Sequence, residues 1–197
     1  MIESLQPVLT ELERAVHWAY SRYGERPADA TPVVVTIQHT SKPHWAWISP
    51  DSWVTRGGSD LHELNVTPEC LLDDPVDIVG HVVHEVVHLI NVDCDIKDCS
   101  KSGRHNSEFD ELAEQLGLVI KGNGITTPGK ELARAIVREF KPDVAAFTAA
   151  KKAVQKKARQ PRKSTAKWTC GCTVVRAAAG IEVHAICGCG NPFQKEA

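Results

Sequence analysis

The chain has 197 residues, of which 42% are hydrophobic and 24% are charged. This composition excludes a disordered or fibrous protein and indicates one globular domain with an appendage. Residues 1–23 carry charges throughout and lack the apolar core of a secretion signal, and no window reaches the roughly 18 uncharged apolar residues of a membrane span. We therefore expect a cytoplasmic protein that has no membrane partner.

The charges are divided unevenly along the chain. Residues 1–140 contain 12 Lys+Arg and 22 Asp+Glu, a net charge of −10, whereas residues 141–197 contain 11 and 3, a net charge of +8. This division predicts that the two parts of the chain meet different partners.

The first predicted elements are a helix and two strands. Apolar residues recur at helical intervals from Leu5 to Tyr23. The segments Val33–Gln38 and Leu61–Val66 are rich in β-branched or alternating residues, which is typical of strands. Three tryptophans between these strands are expected to serve in packing: Trp45, Trp47 and Trp53.

A long helix is predicted from about Pro75. Asp74 can cap it, Pro75 suits the first helical position, and Asp77 favours the positive end of the helix dipole. The Val-rich stretch 76–90 is also compatible with a strand, but its length of about fifteen residues and its lack of turn residues favour a buried helix.

The rest of the first part is predicted to be a polar loop followed by helices. The loop spans 91–103, and its aspartates are expected to be solvated. A helix follows over 107–116, with Ser107 and Asp110 in a capping pattern and Gly117 at its end. Further helical segments are predicted at 130–140 and 144–158.

The sequence of the long helix contains a metal-binding pattern, His84-Glu85-Val86-Val87-His88. Residues four apart lie on one helix face about 6 Å apart along the axis, so His84 and His88 can share one metal ion. Neutral imidazole is a preferred zinc ligand, and zinc lowers the pKa of a bound water. Glu85 is then predicted to remove a proton from this water and pass it to the leaving amine of a peptide.

The residues leave the third ligand open between a histidine and a carboxylate. His105 precedes the next helix, and Glu108 and Glu111 lie on it. His81 falls near the same stripe as His84 but too far along the axis to join both histidines on one ion, so we expect it to support the site or to pack.

Three parts of the sequence together resemble the SprT-like metallopeptidase family, which includes the Spartan proteases acting on DNA-protein crosslinks. They are the motif helix, the preceding Glu63-Leu64-Asn65-Val66-Thr67-Pro68 and the following His105-x-x-x-Phe109. The resemblance covers roughly residues 5–118. It implies a zincin-like peptidase domain over 1–140 and His105 as the third ligand. The family pattern has glycine directly before this histidine, whereas here Arg104 separates Gly103 from His105.

A run of basic residues without an acid lies within the predicted linker, 141–166. Such a run suits nonspecific contact with DNA, because Lys and Arg displace counterions from phosphates. A solvated spacer between two domains is an equally good interpretation. The candidate DNA-binding residues are Lys151, Lys152, Lys156, Lys157, Arg159, Arg162 and Lys163.

Two cysteine pairs occupy the predicted C-terminal domain, 167–197. The pairs are Cys170-Gly171-Cys172 and Cys187-Gly188-Cys189. So short a segment cannot bury enough core to fold alone, so we predict a structural zinc held by four thiolates, with His184 as an alternative to one of them. A pair of redox disulfides and idle thiols are the other interpretations. The family resemblance implies a zinc ribbon here, although its cysteines are spaced Cys-x-x-Cys.

The combined prediction is an α+β chain with a peptidase domain, a basic linker and a zinc ribbon, carrying one catalytic and one structural zinc. Its substrate would be a protein or peptide. By resemblance, this substrate would be a protein bound or crosslinked to DNA, and the enzyme would then be associated with DNA or the nucleoid. The rival hypotheses are a catalytically idle zinc-containing protein that binds nucleic acid or regulates another protein, and a hydrolase of another amide bond.

Overall fold

The computed structural model describes residues 5–24, 30–41, 44–122, 125–156, 165–178 and 180–196. The chain forms a mixed α+β structure, as predicted, and divides into two compact units, Met1–Lys156 and Lys157–Ala197. Within the described part of the chain, no helix is both long enough and apolar enough to cross a membrane.

The first unit is built on two helices and a three-stranded sheet. The helices are α1 (Gln6–Tyr23) and α2 (Pro75–Asp93), and the strands are β1 (Val33–Ile37), β2 (Ala46–Val54) and β3 (Asp60–Val66). The central strand β3 pairs in parallel with β1 and antiparallel with β2. The two helices pack on each other, α1 also contacts β1, and α2 also contacts β2. The core between them contains the completely buried Leu12, Leu64, Val82 and Val86.

Strand β2 was not predicted. Of the three tryptophans expected to serve in packing, Trp47 is half-buried, whereas Trp45, directly before β2, and Trp53 are 48% and 51% exposed. The register between β2 and β3 shifts between Ser49 and Trp53, and Asp51 has a φ of 50°. The Ser-Pro-Asp-Ser sequence that resembles a turn is therefore a bulge within a strand at the sheet edge, which is where proline is tolerated.

The second half of this unit begins with α3 (Ser107–Gln115), the hairpin β4 (Leu118–Lys121) and β5 (Ile125–Pro128), and α4 (Lys130–Ala135). A π-helical turn (Ile136–Phe140) and α5 (Val144–Lys156) follow. The predicted caps of two helices differ in detail. Asp74 precedes α2 but makes no capping hydrogen bond, and Asn106 rather than Ser107 caps α3 by accepting hydrogen bonds from the Glu108 and Phe109 backbone.

Helix α5 belongs to the first unit, although residues 141–166 were predicted to be a linker. Ala146, Phe147 and Ala150 are buried, and α5 contacts α1 and the short 3-10 turn Cys70–Leu72. Arg14 of α1 donates hydrogen bonds to the backbone carbonyls of Phe140 (2.6 Å) and Lys141 (3.1 Å). The boundary of the unit therefore lies later in the chain than the change in charge suggested.

The second unit contains a three-stranded antiparallel sheet. Its strands are β6 (Thr165–Thr169), β7 (Val174–Ala178) and β8 (Gln194–Lys195), in the order β7-β6-β8. Trp168 of the central strand is 6% exposed and is its most buried aromatic residue among those described. This small sheet positions the cysteine turns at Cys170–Thr173 and Cys187–Gly190.

Candidate metal centres

Three histidines meet at the surface of α2 that faces α3. One nitrogen from each of His84, His88 and His105 lies within 4.8 Å of the other two. The first two are one helical turn apart, and His105 reaches them from the loop before α3. Glu108 and Glu111, the alternative third ligands, are exposed and lie outside this group.

The ring of Phe109 forms an apolar support for the three imidazoles. Its centroid lies 3.7 Å from that of His105 with the rings nearly parallel, 4.6 Å from that of His88 and 4.9 Å from that of His84. Phe109 is completely buried. The Asn106 cap that begins α3 therefore fixes both His105, directly before it, and Phe109, in the first turn.

The ring orientation of His84 and His88 is set by hydrogen bonds at their Nδ1 atoms. Nδ1 of His88 donates to Oδ2 of Asp98 at 2.6 Å, and Nδ1 of His84 lies 2.8 Å from Oγ1 of Thr126, a hydroxyl that can accept a hydrogen bond from it. With Nδ1 protonated, the lone pair of each imidazole is on Nε2, where it is available to a metal. Nδ1 of His105 is buried and has no hydrogen-bond partner among the described residues.

Burial also holds these histidines in the form that binds metal. It lowers the pKa of His84 to about 2 and lowers the pKa of His105, in each case reinforced by the neighbouring imidazoles. At neutral pH both side chains are therefore uncharged, as a metal ligand must be. An orphaned buried nitrogen and a set of neutral imidazoles both fit a metal ion at this position.

Glu85 lies beside the histidines on the buried side of α2. One of its carboxylate oxygens is 4.0 Å from Nε2 of His84, and the residue is only 6% exposed. Burial raises the pKa of Glu85 to about 7, although the His88 side chain acts in the opposite direction. A carboxyl with a pKa near neutrality is suited to both accepting and releasing a proton.

The loop between α2 and α3 is not simply solvated, as was predicted for its aspartates. The side chain of Asp98 is 13% exposed and also accepts a hydrogen bond from Asn91. Asp93, at the end of α2, is 4% exposed at its side chain and accepts a hydrogen bond from Tyr20. Only Asp95 is exposed as expected. The other two carboxylates were misjudged because a polar sequence does not reveal which of its acids turn inward.

Cys99 lies close to His88 and Asp98, and the three side chains together could hold a metal ion by distance alone. However, Oδ2 of Asp98 and Nδ1 of His88 are hydrogen-bonded to each other at 2.6 Å. These two atoms are therefore engaged with each other, and the histidine group is the better site.

His81 is separate from the three-histidine group. Its ring stacks on that of Trp45 with centroids 5.8 Å apart, and its Nε2 lies 3.8 Å from a carboxylate oxygen of Asp73. The side chain is 25% exposed. This contact joins α2 to the beginning of β2, so His81 packs between two elements.

The four paired cysteines of the second unit form a second candidate site. Their sulfur atoms all lie within 4.8 Å of one another, and three of the distances are 3.4 Å (Cys170–Cys172), 3.6 Å (Cys172–Cys187) and 3.9 Å (Cys189–Cys170). A tetrahedron with zinc–sulfur bonds of about 2.3 Å has edges of about 3.8 Å. The shortened spacing is thus compatible with a tetrahedral site.

The backbone of both cysteine turns supports this arrangement. The N–H of Cys170 donates to the Thr173 carbonyl, and that of Gly190 donates to the Cys187 carbonyl. A hydrogen bond from the Cys189 backbone, together with the other thiols, lowers the pKa of Cys187 to about 6. At Cys172 a hydrogen bond with Thr173 lowers the pKa, but hydrogen bonds with the other three thiols outweigh it and raise the pKa to about 12. His184 is exposed and lies outside the four-cysteine group.

The predicted DNA-binding residues are described only in part. Lys151 and Lys152 lie on α5, half-buried and exposed respectively. Lys156 ends this helix, but its side chain is not described. The remaining members of the set lie outside the described residues: Lys157, Arg159, Arg162 and Lys163.

Sequence reasoning missed two residues that touch the histidine ligands, Asp98 and Thr126. The general requirement of a metal-binding imidazole for an acceptor on its second nitrogen predicts that such partners exist, but it does not locate them.

Comparison with protein-family models, curated proteins and solved structures finds no match to this chain.

Proposed function

We propose that the chain is a zinc-dependent peptidase with a zincin-like first unit. The observation that carries this proposal is the group of three imidazoles with the buried carboxyl of Glu85 on the same helix as two of them. Three imidazole ligands leave one position of a tetrahedral ion open, which is the usual arrangement of a catalytic zinc site. The four-cysteine group would fill all four positions of a second, structural zinc.

A zinc ion at the histidine site would supply Lewis acidity, polarising the carbonyl of the scissile peptide and making water a stronger acid. Glu85 would take the proton of the attacking water on its carboxylate and deliver it to the leaving nitrogen. Its burial among apolar residues keeps this proton from bulk solvent. His84, His88 and His105 would hold the ion, and Phe109 would keep their rings in place.

The proposed substrates are proteins bound or crosslinked to DNA. The net charge of +8 over residues 141–197 supports this class, because a basic segment in the same chain as the active unit would concentrate DNA and the proteins on it. Lys152 on α5 offers an exposed basic group on the first unit itself. The enzyme would then act in the cytoplasm at the nucleoid or other DNA.

The test of catalysis is the substitution Glu85→Gln in the full-length protein. We expect the variant to retain zinc, since Glu85 is not a ligand, but to lose cleavage of a DNA-binding protein by at least about 100-fold, the scale of one proton-transfer group. Zinc content is measured by elemental analysis and cleavage by gel assay. Glu111→Gln, at an exposed glutamate on α3, is the matched control and should cleave normally.

Equal cleavage by the wild type and Glu85→Gln would contradict the peptidase proposal. Retention of zinc without cleavage in either protein would favour the catalytically idle alternative. The same assay is run with and without single-stranded DNA. Cleavage that is independent of DNA would leave the peptidase in place and remove the proposed role of the basic segment.

A further inference from the structure

Asp98 contacts both parts of the histidine site. Its side chain accepts a hydrogen bond from Nδ1 of His88 at 2.6 Å, which leaves Nε2 of that ring for a metal. Its backbone carbonyl accepts a hydrogen bond from the N–H of Asn106 at 3.0 Å, directly beyond His105. Asp98 thus forms hydrogen bonds both with His88 on α2 and with the backbone next to His105 in the loop.

The loop that carries Asp98 and His105 is a compact hairpin. Cys99 and His105 form an antiparallel bridge, and the N–H of Ser100 donates to the Arg104 carbonyl at 2.8 Å. Gly103 has a φ of 77°, the left-handed conformation that this turn requires. Arg104, which interrupts the family pattern, therefore accepts a backbone hydrogen bond within the hairpin, and His105 beside it is held by its own bridge to Cys99.

The carboxylate of Asp98 is well placed to act on His88. Its Oδ2 atom accepts hydrogen bonds from Nδ1 of His88 at 2.6 Å and from the side-chain amide of Asn91 at 3.2 Å, so its position is fixed from two sides. A negative charge on the far side of an imidazole increases the electron density at its other nitrogen and fixes its orientation. Thr126 gives His84 only a neutral acceptor.

We propose that Asp98 is a positioning residue that orients His88 and couples the placement of His105 to it, so that loop order and metal binding depend on each other. This inference rests on the proposed function, since it concerns ligands of the same site. It predicts that removing the Asp98 carboxylate lowers the affinity of the site for zinc and makes the loop more mobile, even though Asp98 itself is not a ligand.

The test compares Asp98→Ala and Asp98→Asn in full-length protein that also carries Glu85→Gln, so that no peptide hydrolysis takes place during the binding measurement. Competition with a chelator should give a zinc dissociation constant at the histidine site that is about 10–100-fold higher for Asp98→Ala. Asp98→Asn should lie between this value and that of the parent, because the amide oxygen still accepts the hydrogen bond but carries no charge. Asp95→Asn, in an exposed left-handed position of the same loop, is the matched control and should bind like the parent.

Two further readouts separate positioning from general stability. With Co²⁺ in place of zinc, the visible absorption bands of the histidine site should shift in both Asp98 variants and remain unchanged in Asp95→Asn. Trypsin has exposed target residues in the loop, Lys97, Lys101 and Arg104. Saturating zinc should protect them in the parent and in Asp95→Asn, but not in Asp98→Ala.

Zinc affinity within twofold of the parent for both Asp98 variants, with an unchanged cobalt spectrum, would overturn the inference. If circular dichroism shows that Asp98→Ala is unfolded, the near-isosteric Asp98→Asn decides the question. A parent that binds no zinc at the histidines would refute the proposed function together with the inference. The inference alone would be refuted if the parent binds zinc tightly and the wild type cleaves its substrate, while the Asp98 variants bind zinc as tightly as the parent.

Discussion

Burial selects the chemical form of three residues in the histidine site. The same desolvation that keeps His84 and His105 neutral raises the pKa of Glu85 to about 7. An uncharged imidazole is able to bind a metal ion, and a carboxyl that titrates near neutrality is suited to acid or base catalysis. The apolar surroundings of α2 and Phe109 therefore prepare two different chemistries at adjacent positions.

His105 is predicted to be necessary for the metal site and Glu108 dispensable. The substitution His105→Ala should reduce zinc from two ions per chain to about one, because two imidazoles on a single helix turn bind zinc weakly without a third ligand. Glu108→Ala, at an exposed position three residues later, should leave the content unchanged. The measurement is zinc per chain after dialysis, and loss of zinc from Glu108→Ala with retention in His105→Ala would reverse the ligand assignment.

The proximity of the candidate ligands on α2 could be predicted from the sequence because spacing along a helix defines which side chains lie together. His84, Glu85 and His88 are close in the chain and need only a helix to meet. His105 was preferred through the family resemblance, since spacing alone did not distinguish it from Glu108. Asp98 and Thr126 escaped prediction because the fold of a loop and of a hairpin brings them to the site, and neither has a sequence pattern of its own.

At the scale of elements, the hairpin β4–β5 is tied to α2 by a close approach. A Cβ atom placed on Gly80 of α2 would lie 2.4 Å from Cγ and 2.8 Å from Cδ of Pro128, at the end of β5. The absence of a side chain at Gly80 lets the hairpin lie against the helix. Thr126, two residues before Pro128, then reaches His84 one turn along α2.

Gly80→Ala is predicted to be destabilising, although alanine is the better helix former by about 1 kcal/mol. The added methyl group displaces Pro128, and overpacking of this kind costs about 1–3 kcal/mol. Because Thr126 would move with the strand, zinc affinity at the histidines should fall as well. Urea denaturation and chelator competition measure the two effects.

The matched control is Gly57→Ala, in the turn between β2 and β3, where the new methyl group would meet only Thr55 at an ordinary 3.7 Å. It should change neither quantity. A Gly80→Ala protein that is as stable as the wild type and binds zinc equally would show that the hairpin adjusts without cost and that its contact with His84 is unimportant.

Helices were easier to predict than the second strand of the sheet. The start of α2 at Pro75, the end of α1 before Gly24 and the end of α3 before Gly117 follow from residues with fixed backbone preferences. Strand β2 contains a proline and a bulge, so local preference indicates a turn. It is a strand because it pairs with β3, and this pairing cannot be read from a short stretch of sequence.

At the scale of the whole molecule, charge and compactness divide the chain at different places. The change from acidic to basic composition comes near Phe140, whereas the first compact unit continues to Lys156. Composition averages over all side chains, but packing depends on one face of a helix. The buried face of α5, with Phe147 at its centre, is apolar even though the same helix carries Lys151 and Lys152.

The division into units predicts how truncations behave. A protein ending at Lys156 should keep the stability of its fold, whereas one ending at Phe140 should lose at least about 3 kcal/mol, the usual minimum for removing one buried phenylalanine. It also loses the carbonyl of Lys141 and the backbone N–H of Asp143, which bind Arg14 and Glu11. The free energy of unfolding is measured by urea titration followed by circular dichroism. Equal stability of the two proteins would show that α5 is dispensable and that the linker begins at residue 141.

All groups assigned to the histidine site come from the continuous stretch between His84 and Thr126. Closing such short loops costs little chain entropy, and contacts between near neighbours in sequence form quickly. On the ribosome, the ligand set and its hydrogen-bond partners are therefore complete once Pro128 has emerged, before α5 emerges. We expect capture of the ion to be an early event in the life of the chain, and one that assists the folding of the remaining residues.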